Sequence, residues 1–350
     1  MLNAFLEQCR LDVETRLREL FAEQQRAAGS ISDANLRLVE ALQDFTLRGG
    51  KRVRAALVRI GYLAVTDEDD EPARRAAVAA ELIQSFLLAH DDIIDRDDLR
   101  RGAPTLHRAL QAWPAGEADE HLGLSAALLA GDLAAAWAAQ LVSEIPVPAV
   151  RIVRASTHLQ QMVAEVIGGE ALDVAGSAGI ALTREGVLRL YELKTASYTV
   201  IGPLVLGALL GGADDDRIEA LTSVGRPLGV AFQILDDLLG LLGDPEQIGK
   251  TAGADLKEGK ATLVALEVRE RAGGAALADF EACIGADAID ADALERARAA
   301  ARDCGAVAAC RGLAAEFTDE ALAGLQGAPL REQGRGLLSD LAKKLLARAR

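Results

Sequence analysis

Two acidic segments of the sequence carry residue types that suit metal-assisted chemistry. The first contains Asp91, Asp92 and Asp95, and the second, much later in the chain, contains Asp236 and Asp237. Apolar residues surround both segments, which favours helices, and on a helix Asp91 and Asp95 share one face with Asp92 about 100° around the axis. Carboxylates gathered on an apolar face repel each other unless a cation neutralises them. The segments therefore predict two helices that bind Mg²⁺ ions, which can bridge to phosphates held between those helices.

Residues suited to phosphate binding accompany these acidic segments. Arg100 and Arg101 follow the first segment, and an arginine can contact a phosphate through two parallel hydrogen bonds. Residues 49–54, with the sequence GGKRVR, open a predicted helix, where free backbone N–H groups and the helix dipole attract anions. Gln84 and Gln233 lie on the two predicted acidic helices, and each amide can donate a hydrogen bond to a phosphate oxygen. The set predicts a diphosphate site.

The elements that must position these residues are predicted to be helices. Half of the 350 residues are hydrophobic, 3% are aromatic and 9 are proline, a composition that favours packed helices over sheet. Proline, glycine and N-capping residues mark helix starts and ends. The predicted helices cover residues 2–26, 32–47, 52–65, 73–98, 121–143, 148–172, 184–198, 200–211, 215–242 and 260–272, followed by shorter pieces to about residue 346.

Composition also limits how the chain can be divided into domains and which partners it can bind. No linker or low-complexity run divides the sequence, so residues 1–350 are predicted to form a single all-α domain. The net charge of −15 argues against nucleic-acid binding, which needs a basic face. The spacing of the four cysteines does not match a zinc site, so reduced thiols are expected.

Two further features bear on location. The first residues lack the basic start and long apolar run of a signal peptide, which predicts a cytoplasmic protein. Residues 195–213 carry no charge and are long enough to span a bilayer. Their glycine, proline, serine and threonine content favours a buried helix instead, so no transmembrane segment is expected.

Taken with residues 191–197 (YELKTAS) and 249–260, these motifs resemble the polyprenyl synthetase family of trans-prenyltransferases over about residues 45–270. Several separate motifs occur in the family's order. The resemblance implies an isoprenoid synthase bundle of antiparallel helices around a central apolar cavity. It implies condensation of isopentenyl diphosphate with an allylic diphosphate (dimethylallyl, geranyl or farnesyl) assisted by Mg²⁺, with three ions when substrate is bound. Relatives are commonly homodimers, so a homodimer is expected.

The resemblance implies that five aspartates bind the metal ions. The second segment departs from the usual DDxxD pattern, because Gly240 stands where a third aspartate is common. Asp236 is then the residue expected to hold the remaining metal, and Asp255 is expected to support it through water. The implied metal ligands are Asp91, Asp92 and Asp95 on the allylic diphosphate, together with Asp236 and Asp237.

The resemblance also implies contacts with both diphosphates. Lys51, Arg54 and Arg101 are expected to bind isopentenyl diphosphate, and Arg100 the allylic diphosphate. Lys194 is expected to stabilise the departing diphosphate, with Thr195 beside the allylic cation. The implied catalytic residues are Lys194, Thr195, Arg100 and Gln233, and the substrate-binding set adds Lys51, Arg54, Gln84, Arg101, Lys250 and Lys260.

Product length is expected to depend on Phe86 and Leu87. Phe86 lies five residues before Asp91, about 7.5 Å along the helix, where its ring can act as the floor of the product cavity. In the family, an aromatic residue here, with no insertion in the first acidic segment, is the pattern of many geranylgeranyl diphosphate synthases. Leu87 is not the second aromatic that often shortens the product. A C20 product is favoured, with C15 and C25 as alternatives, and a packing role for Phe86 remains the other interpretation.

Three other functions fit parts of this pattern. A class I terpene cyclase usually pairs one DDxxD with an Asn/Ser/Glu triad and aromatic rings, whereas this chain has a second aspartate pair and few aromatics. A di-iron bundle needs Glu-x-x-His pairs, which the sequence lacks. A non-catalytic synthase subunit should have lost phosphate ligands, and the sequence keeps Lys51, Arg54, Arg100, Arg101, Lys194 and Lys260.

Overall fold

The structure is a computed structural model that describes residues 1–113, 117–243, 253–286 and 288–349. Helices form nearly all of its regular structure, which confirms the all-α prediction. Contacts group the chain into two compact units that alternate along the sequence. The first comprises Met1–Leu159, Pro203–Asp214 and Arg331–Gly334, and the second Gln160–Gly202, Asp215–Leu330 and Arg335–Arg350. The single domain stays a prediction.

The described elements follow in chain order, with one short hairpin and one π-helical segment among the α-helices. They are α1 (Leu2–Ile31), α2 (Asp33–Leu47), α3 (Val53–Leu63), α4 (Glu71–Ile94), β1 (Leu99–Arg100), β2 (Ala103–Pro104), α5 (Leu106–Ala109), α6 (Glu120–Ser143), α7 (Ala149–Ser177), α8 (Arg184–Leu190), the π-helical segment (Tyr191–Ile201), α9 (Gly202–Leu210), α10 (Asp215–Leu242), α11 (Ala254–Lys257), α12 (Leu263–Arg271), α13 (Gly274–Glu281), α14 (Ala291–Asp303), α15 (Ala306–Gly324) and α16 (Glu332–Ala349).

Several helices begin where the sequence signals them. The Ser32 side chain accepts a hydrogen bond from the Asn35 N–H at 3.1 Å and caps α2. The Thr183 side chain caps α8 in the same way, through the Gly186 N–H at 3.2 Å. Such caps satisfy backbone donors that have no partner within the helix. Local chemistry therefore explains these helix starts.

In the first unit, α4 packs closely against α6. The buried face of α6 consists mainly of alanine and glycine, including Ala127, Ala130 and Gly131. A Cβ atom added at Gly131 would lie 2.6 Å from the Nε2 atom of His90 on α4. The two helices are therefore as close as glycine permits at this point. This packing supports the C-terminal end of α4, which carries the first acidic segment.

The end of α4 differs from the prediction. The sequence predicts a helix to residue 98, whereas α4 ends at Ile94. Arg96 adopts a left-handed conformation with φ of 58°, and the chain turns into the antiparallel β1–β2 hairpin, where Arg100 pairs with Ala103. The Thr105 hydroxyl donates to the Asp97 carbonyl at 2.9 Å and fixes the turn. The early end lets the hairpin fold back towards the aspartates.

In the second unit, α10 packs against the π-helical segment and α15. The sequence predicts separate helices over 184–198 and 200–211, but the helical run continues through a widened π-helix. In a π-helix each N–H bonds five residues back, as the Gly202 N–H does to the Ser197 carbonyl. Such segments occur frequently at functional sites. This one carries Lys194 and Thr195.

Among the residues that the structure describes, two helical stretches are long and apolar enough to cross a membrane, judged by length and composition. They are Glu120–Ser143 and Arg184–Leu210, and 44% and 78% of their most apolar windows are buried in the structure. The second contains most of the uncharged stretch 195–213, for which the sequence favours a buried helix. Its burial agrees with that interpretation, and the lack of a transmembrane segment stays a prediction.

Candidate active site

The first acidic segment is organised around one arginine. Asp91 and Asp92 lie in the last turn of α4, and Asp95 follows its end. The Arg100 guanidinium donates through Nε to Asp92 Oδ1 and through Nη2 to Asp91 Oδ2, the latter at 3.1 Å. Arg100 reaches them because it lies on β1 of the hairpin that follows α4. The aspartates and the arginine thus form one charged cluster, in which Arg100 offsets part of the negative charge.

This cluster fits a divalent cation. Asp92 is 0% exposed, and its Oδ2 atom has no hydrogen-bond partner among the described residues. One carboxylate oxygen of Asp91 and one of Asp95 lie within 4.8 Å of each other. Burial raises the pKa of Asp92 to about 7, against the opposing charge of Arg100. A cation such as Mg²⁺ would favour the charged form and supply the missing partner.

Arginines of the first unit surround a small cavity beside this cluster. Burial lowers the pKa of Arg101, and the charges of Arg52, Arg100 and Arg54 lower it further, while Glu81 opposes them. Several positively charged side chains therefore lie close together at this cavity. Such a region attracts diphosphate. The cavity is lined by Phe45, Thr46, Arg48, Arg52, Gln84, Ser85, Leu88, Arg100 and Arg101.

The loop before α3 is held from two sides. Gly49, Gly50 and Arg52 all have positive φ, of 59°, 112° and 49°. Arg52 is buried, with Nη1 2.9 Å from Glu81 Oε2. From the hairpin, Arg101 Nη1 donates to the Gly49 carbonyl at 3.0 Å. The loop therefore has a fixed shape, and it leads into α3, where Arg54 lies in the first turn; Lys51 on this loop is exposed.

Arg48 and Arg52 were not singled out from the sequence. Arg52 is adjacent to the lysine of the GGKxxR motif, but nothing in a single sequence distinguishes a buried loop arginine from a solvated one. Arg48 donates to the Pro104 carbonyl of the hairpin, a contact between residues far apart in sequence. Both residues line the cavity only because tertiary packing brings the hairpin to the loop.

The two aspartates of the second segment have different surroundings. Asp236 is exposed and lines a cavity with apolar residues of α10, Arg311 of α15 and Leu345 of α16. Asp237 is buried and accepts hydrogen bonds from the Tyr191 hydroxyl and from Gln233 Nε2, the latter at 2.6 Å. Burial, with the nearby charge of Asp255, raises the pKa of Asp237 well above its usual value. Asp236 is the better placed of the two for a metal.

Gly240 leaves space that another aspartate fills. A Cβ atom added at Gly240 would lie 2.6 Å from Asp255 Oδ2. Asp255 belongs to the short helix α11, which packs against α10. The Asp255 carboxylate therefore lies beside position 240 of α10, within the second unit. A side chain at position 240 would compete with it for the same space.

A hydrogen-bond chain links the π-helical segment to α10 and α12. The Thr195 hydroxyl donates to Gln233 Oε1 at 2.5 Å, and Gln233 donates in turn to Asp237. On the other side of Asp237, the Tyr191 hydroxyl also accepts the Leu263 N–H at 2.9 Å. Tyr191 was not singled out from the sequence, although it lies in the same YELKTAS segment as Thr195.

Two lysines of the second unit, Lys194 and Lys260, are paired with carboxylates. Lys194 Nζ lies 2.6 Å from Asp173 Oδ2 and 2.7 Å from Glu170 Oε2, both on α7. Lys260 Nζ lies 2.8 Å from Glu258 Oε2, and Lys260 lines a cavity that includes Asp237, Gly240 and Asp255. Lys250 lies outside the described residues. Lys260 therefore lies near Asp237, and Lys194 is held against α7 within the same unit.

The proposed chain-length residues lie on α4. Phe86 and Leu87 are both partly exposed, in contrast to the fully buried Leu82 and Ala89 on the same helix. The Phe86 ring contacts the imidazole of His90, with ring centroids 4.8 Å apart. Phe86 is therefore held against another ring, one turn before the first aspartates.

Comparison with known proteins agrees with these features. Residues 36–301 match the polyprenyl synthetase family. The chain is 34% identical to the geranylfarnesyl diphosphate synthase of Natronomonas pharaonis over 328 residues, which cover 89% of this chain and 90% of the relative. It is 31% identical to the geranylgeranyl pyrophosphate synthase of Geoglobus acetivorans over 336 residues, 96% of each chain.

A solved structure is similar to this chain over nearly its whole length. The geranylgeranyl pyrophosphate synthase of Corynebacterium glutamicum, crystallised with isoprenyl diphosphate and magnesium, is 33% identical and covers 99% of both chains with a TM-score of 0.91. This similarity confirms the all-α isoprenoid synthase fold. The chain belongs to the polyprenyl synthetase family of trans-prenyltransferases.

Proposed function

We propose that this chain is a geranylgeranyl diphosphate synthase, which extends an allylic diphosphate with isopentenyl diphosphate to a C20 product. One observation carries the proposal: Arg100 belongs both to the carboxylate cluster of Asp91 and Asp92 and to the arginine-lined cavity. A metal-binding cluster and an anion-binding cavity that share a residue suit a reaction of two diphosphates. A class I cyclase needs only one diphosphate, so an arginine-lined cavity beside the carboxylate cluster favours the synthase.

The first unit would bind both substrates. Asp91, Asp92 and Asp95 would hold Mg²⁺, which when bound neutralises charge on the leaving diphosphate. Arg100, already among these carboxylates, adds positive charge to the same group. Lys51, Arg54 and Arg101 bind the diphosphate of isopentenyl diphosphate, and Gln84 offers a further amide in the same cavity. Fixed positive charge of this kind orients both substrates.

The second unit would supply further positive charge to the departing diphosphate. Asp236 would hold the remaining Mg²⁺, and Asp255 compensates for the third aspartate that Gly240 replaces. Lys194, and by family resemblance Lys250 and Lys260, stabilise the departing diphosphate. The bond between the allylic carbon and diphosphate breaks first and leaves an allylic cation. The double bond of isopentenyl diphosphate then attacks this cation, and the released diphosphate accepts the proton that is lost.

Thr195 and Gln233 are proposed to lie beside the allylic cation. Their mutual hydrogen bond, and the bond from Gln233 to Asp237, fix the direction of the Thr195 hydroxyl and the Gln233 amide. In this scheme Asp237 acts mainly by orienting Gln233, in addition to any contact with metal. Oriented dipoles stabilise developing charge without having to reorganise during the reaction.

Product length is proposed to be C20, with Phe86 as the floor of the product cavity. The position of Phe86 on α4, one turn before the aspartates, supports this length. A C25 product is the second candidate, because the relative from Natronomonas pharaonis is a geranylfarnesyl diphosphate synthase. Phe86→Ala should shift products to longer chains, and an unchanged distribution at a comparable rate would remove the basis for the C20 assignment.

A homodimer is proposed from an exposed stripe on α7. Its residues alternate in steps of three and four, the spacing that aligns one face of a helix for packing against another helix. Their side chains are mostly apolar or small, yet all are exposed in this chain, and a second copy would cover them. The stripe consists of Val150, Val153, Thr157, Gln160, Ala164, Ile167, Ala171 and Val174.

The reaction is tested by following released diphosphate. The purified chain is incubated with isopentenyl diphosphate and dimethylallyl, geranyl or farnesyl diphosphate in turn, with Mg²⁺ or with EDTA. The proposal predicts release that requires both substrates and the metal. Release from an allylic diphosphate alone would indicate a cyclase, and no release with any pair would indicate a non-catalytic subunit.

A further inference from the structure

His90 holds the Phe86 ring in place. The two residues lie one turn apart on α4, with ring centroids 4.8 Å apart and an interplanar angle of 72°. This edge-to-face arrangement is a favoured geometry for π systems. His90 Nε2 lies 3.2 Å from the Leu128 carbonyl oxygen on α6, to which it donates a hydrogen bond. The imidazole therefore connects Phe86 to α6.

The space that His90 occupies exists only because residue 131 is glycine. A Cβ atom there would lie 2.6 Å from His90 Nε2 and 2.7 Å from its Cδ2, far inside normal contact distance. Glycine within a helix is less favourable than alanine by about 1 kcal/mol. The close approach of the imidazole explains why a glycine stands at this position of α6 despite that cost.

We propose that His90 and Gly131 set the product length through Phe86. Gly131 admits the imidazole, the imidazole holds the Phe86 ring, and the ring limits the growing chain. The inference rests on the proposed function, and it makes His90 a positioning residue rather than a catalytic one. An unsupported Phe86 can adopt other rotamers, since a phenylalanine in a helix has more than one allowed χ1. Loss of support should therefore lengthen the products rather than shorten them.

The first test is Gly131→Ala, with Gly312→Ala as the matched control. Gly312 also lies inside a helix, and a Cβ atom there meets nothing within 4 Å. With farnesyl diphosphate and labelled isopentenyl diphosphate, Gly131→Ala should raise the ratio of C25 and longer products to C20 at least about tenfold, a preference of roughly 1.4 kcal/mol. Gly312→Ala should keep the wild-type ratio. An unchanged ratio in Gly131→Ala would overturn the proposal.

A second variant tests the proposal even if Gly131→Ala fails to fold. His90→Ala removes the imidazole without adding bulk to α6, and it should lengthen the products in the same direction. The rate of the first condensation should stay within about threefold of the wild type, because His90 touches neither substrate in this account. A large loss of that rate with unchanged product length would mean that His90 acts on the neighbouring Asp91, and the proposal would be wrong.

A double variant tests whether the effect passes through Phe86. If the ring alone transmits it, Gly131→Ala should add no further lengthening in a Phe86→Ala background, since coupled residues are not additive. Additional lengthening in the Phe86→Ala background would show that α6 acts directly on the growing prenyl chain. Such a result would contradict the proposal that the effect passes through Phe86. A wild type that makes no prenyl diphosphate would instead refute the proposed function, so the two failures are distinguishable.

Discussion

At the scale of single residues, the chemistry depends on how charges are paired. Arg100 contacts Asp91 and Asp92 directly, and Asp92 keeps one buried oxygen without a hydrogen-bond partner among the described residues. In the second unit, Asp236 is exposed while its neighbour Asp237 is bonded to Tyr191 and Gln233. Adjacent aspartates in each segment therefore differ in what they can bind.

Metal dependence is the first prediction at this scale. Asp91→Ala and Asp236→Ala should each lower kcat at least about a hundredfold, the scale of losing a group that stabilises transition-state charge. Asp98→Asn is a suitable control, because Asp98 is exposed and pairs with Arg108. Near-normal turnover of the wild type in EDTA would contradict the metal assignment.

The two diphosphate sites can be separated by kinetics. Lys51→Ala and Arg54→Ala should raise KM for isopentenyl diphosphate several-fold more than KM for the allylic substrate, because both residues are assigned to the former. Arg18→Ala, an exposed arginine of α1, should change neither constant. Equal increases in both KM values would show that the sites have been misassigned.

At the scale of elements, helix starts and lengths follow from local sequence, whereas the contacts that shape the site do not. The sequence predicts a helix over 215–242, and α10 has the same bounds. The predicted end of α4 was wrong by four residues. The left-handed Arg96 and the hydrogen bond from the Thr105 hydroxyl belong to the hairpin, and local helix signals do not predict that hairpin. The aspartate and arginine motifs can be recognised from their spacing in the sequence. The position of the Asp255 carboxylate beside Gly240 cannot, since it depends on how α11 packs against α10.

The hydrogen bonds of Tyr191 give a prediction about these elements. Tyr191→Phe removes a donor to Asp237 and leaves the Leu263 N–H without its acceptor, so it should lower the free energy of unfolding by about 1–3 kcal/mol. Chemical denaturation followed by circular dichroism measures this change. If the variant unfolds at the same denaturant concentration as the wild type, the network does not tie the π-helical segment to α10 and α12.

At the scale of the whole molecule, the stripe on α7 predicts assembly. Light scattering should give the wild type twice the chain mass of 36.8 kDa. Val153→Lys combined with Ile167→Lys should give the single-chain mass, because charge in the middle of an apolar interface is strongly unfavourable. Leu11→Lys, at an exposed leucine of α1, should leave the mass unchanged. A wild type of single-chain mass would exclude the dimer.

The chain is proposed to join isopentenyl diphosphate to an allylic diphosphate and to stop at C20. The most direct measurement is the length of the product made from farnesyl diphosphate and labelled isopentenyl diphosphate with Mg²⁺, read by chromatography after the phosphates are removed. Geranylgeraniol is expected as the main labelled alcohol. A main product of C25 would contradict the length assignment, and the absence of any labelled prenyl alcohol would contradict the synthase itself.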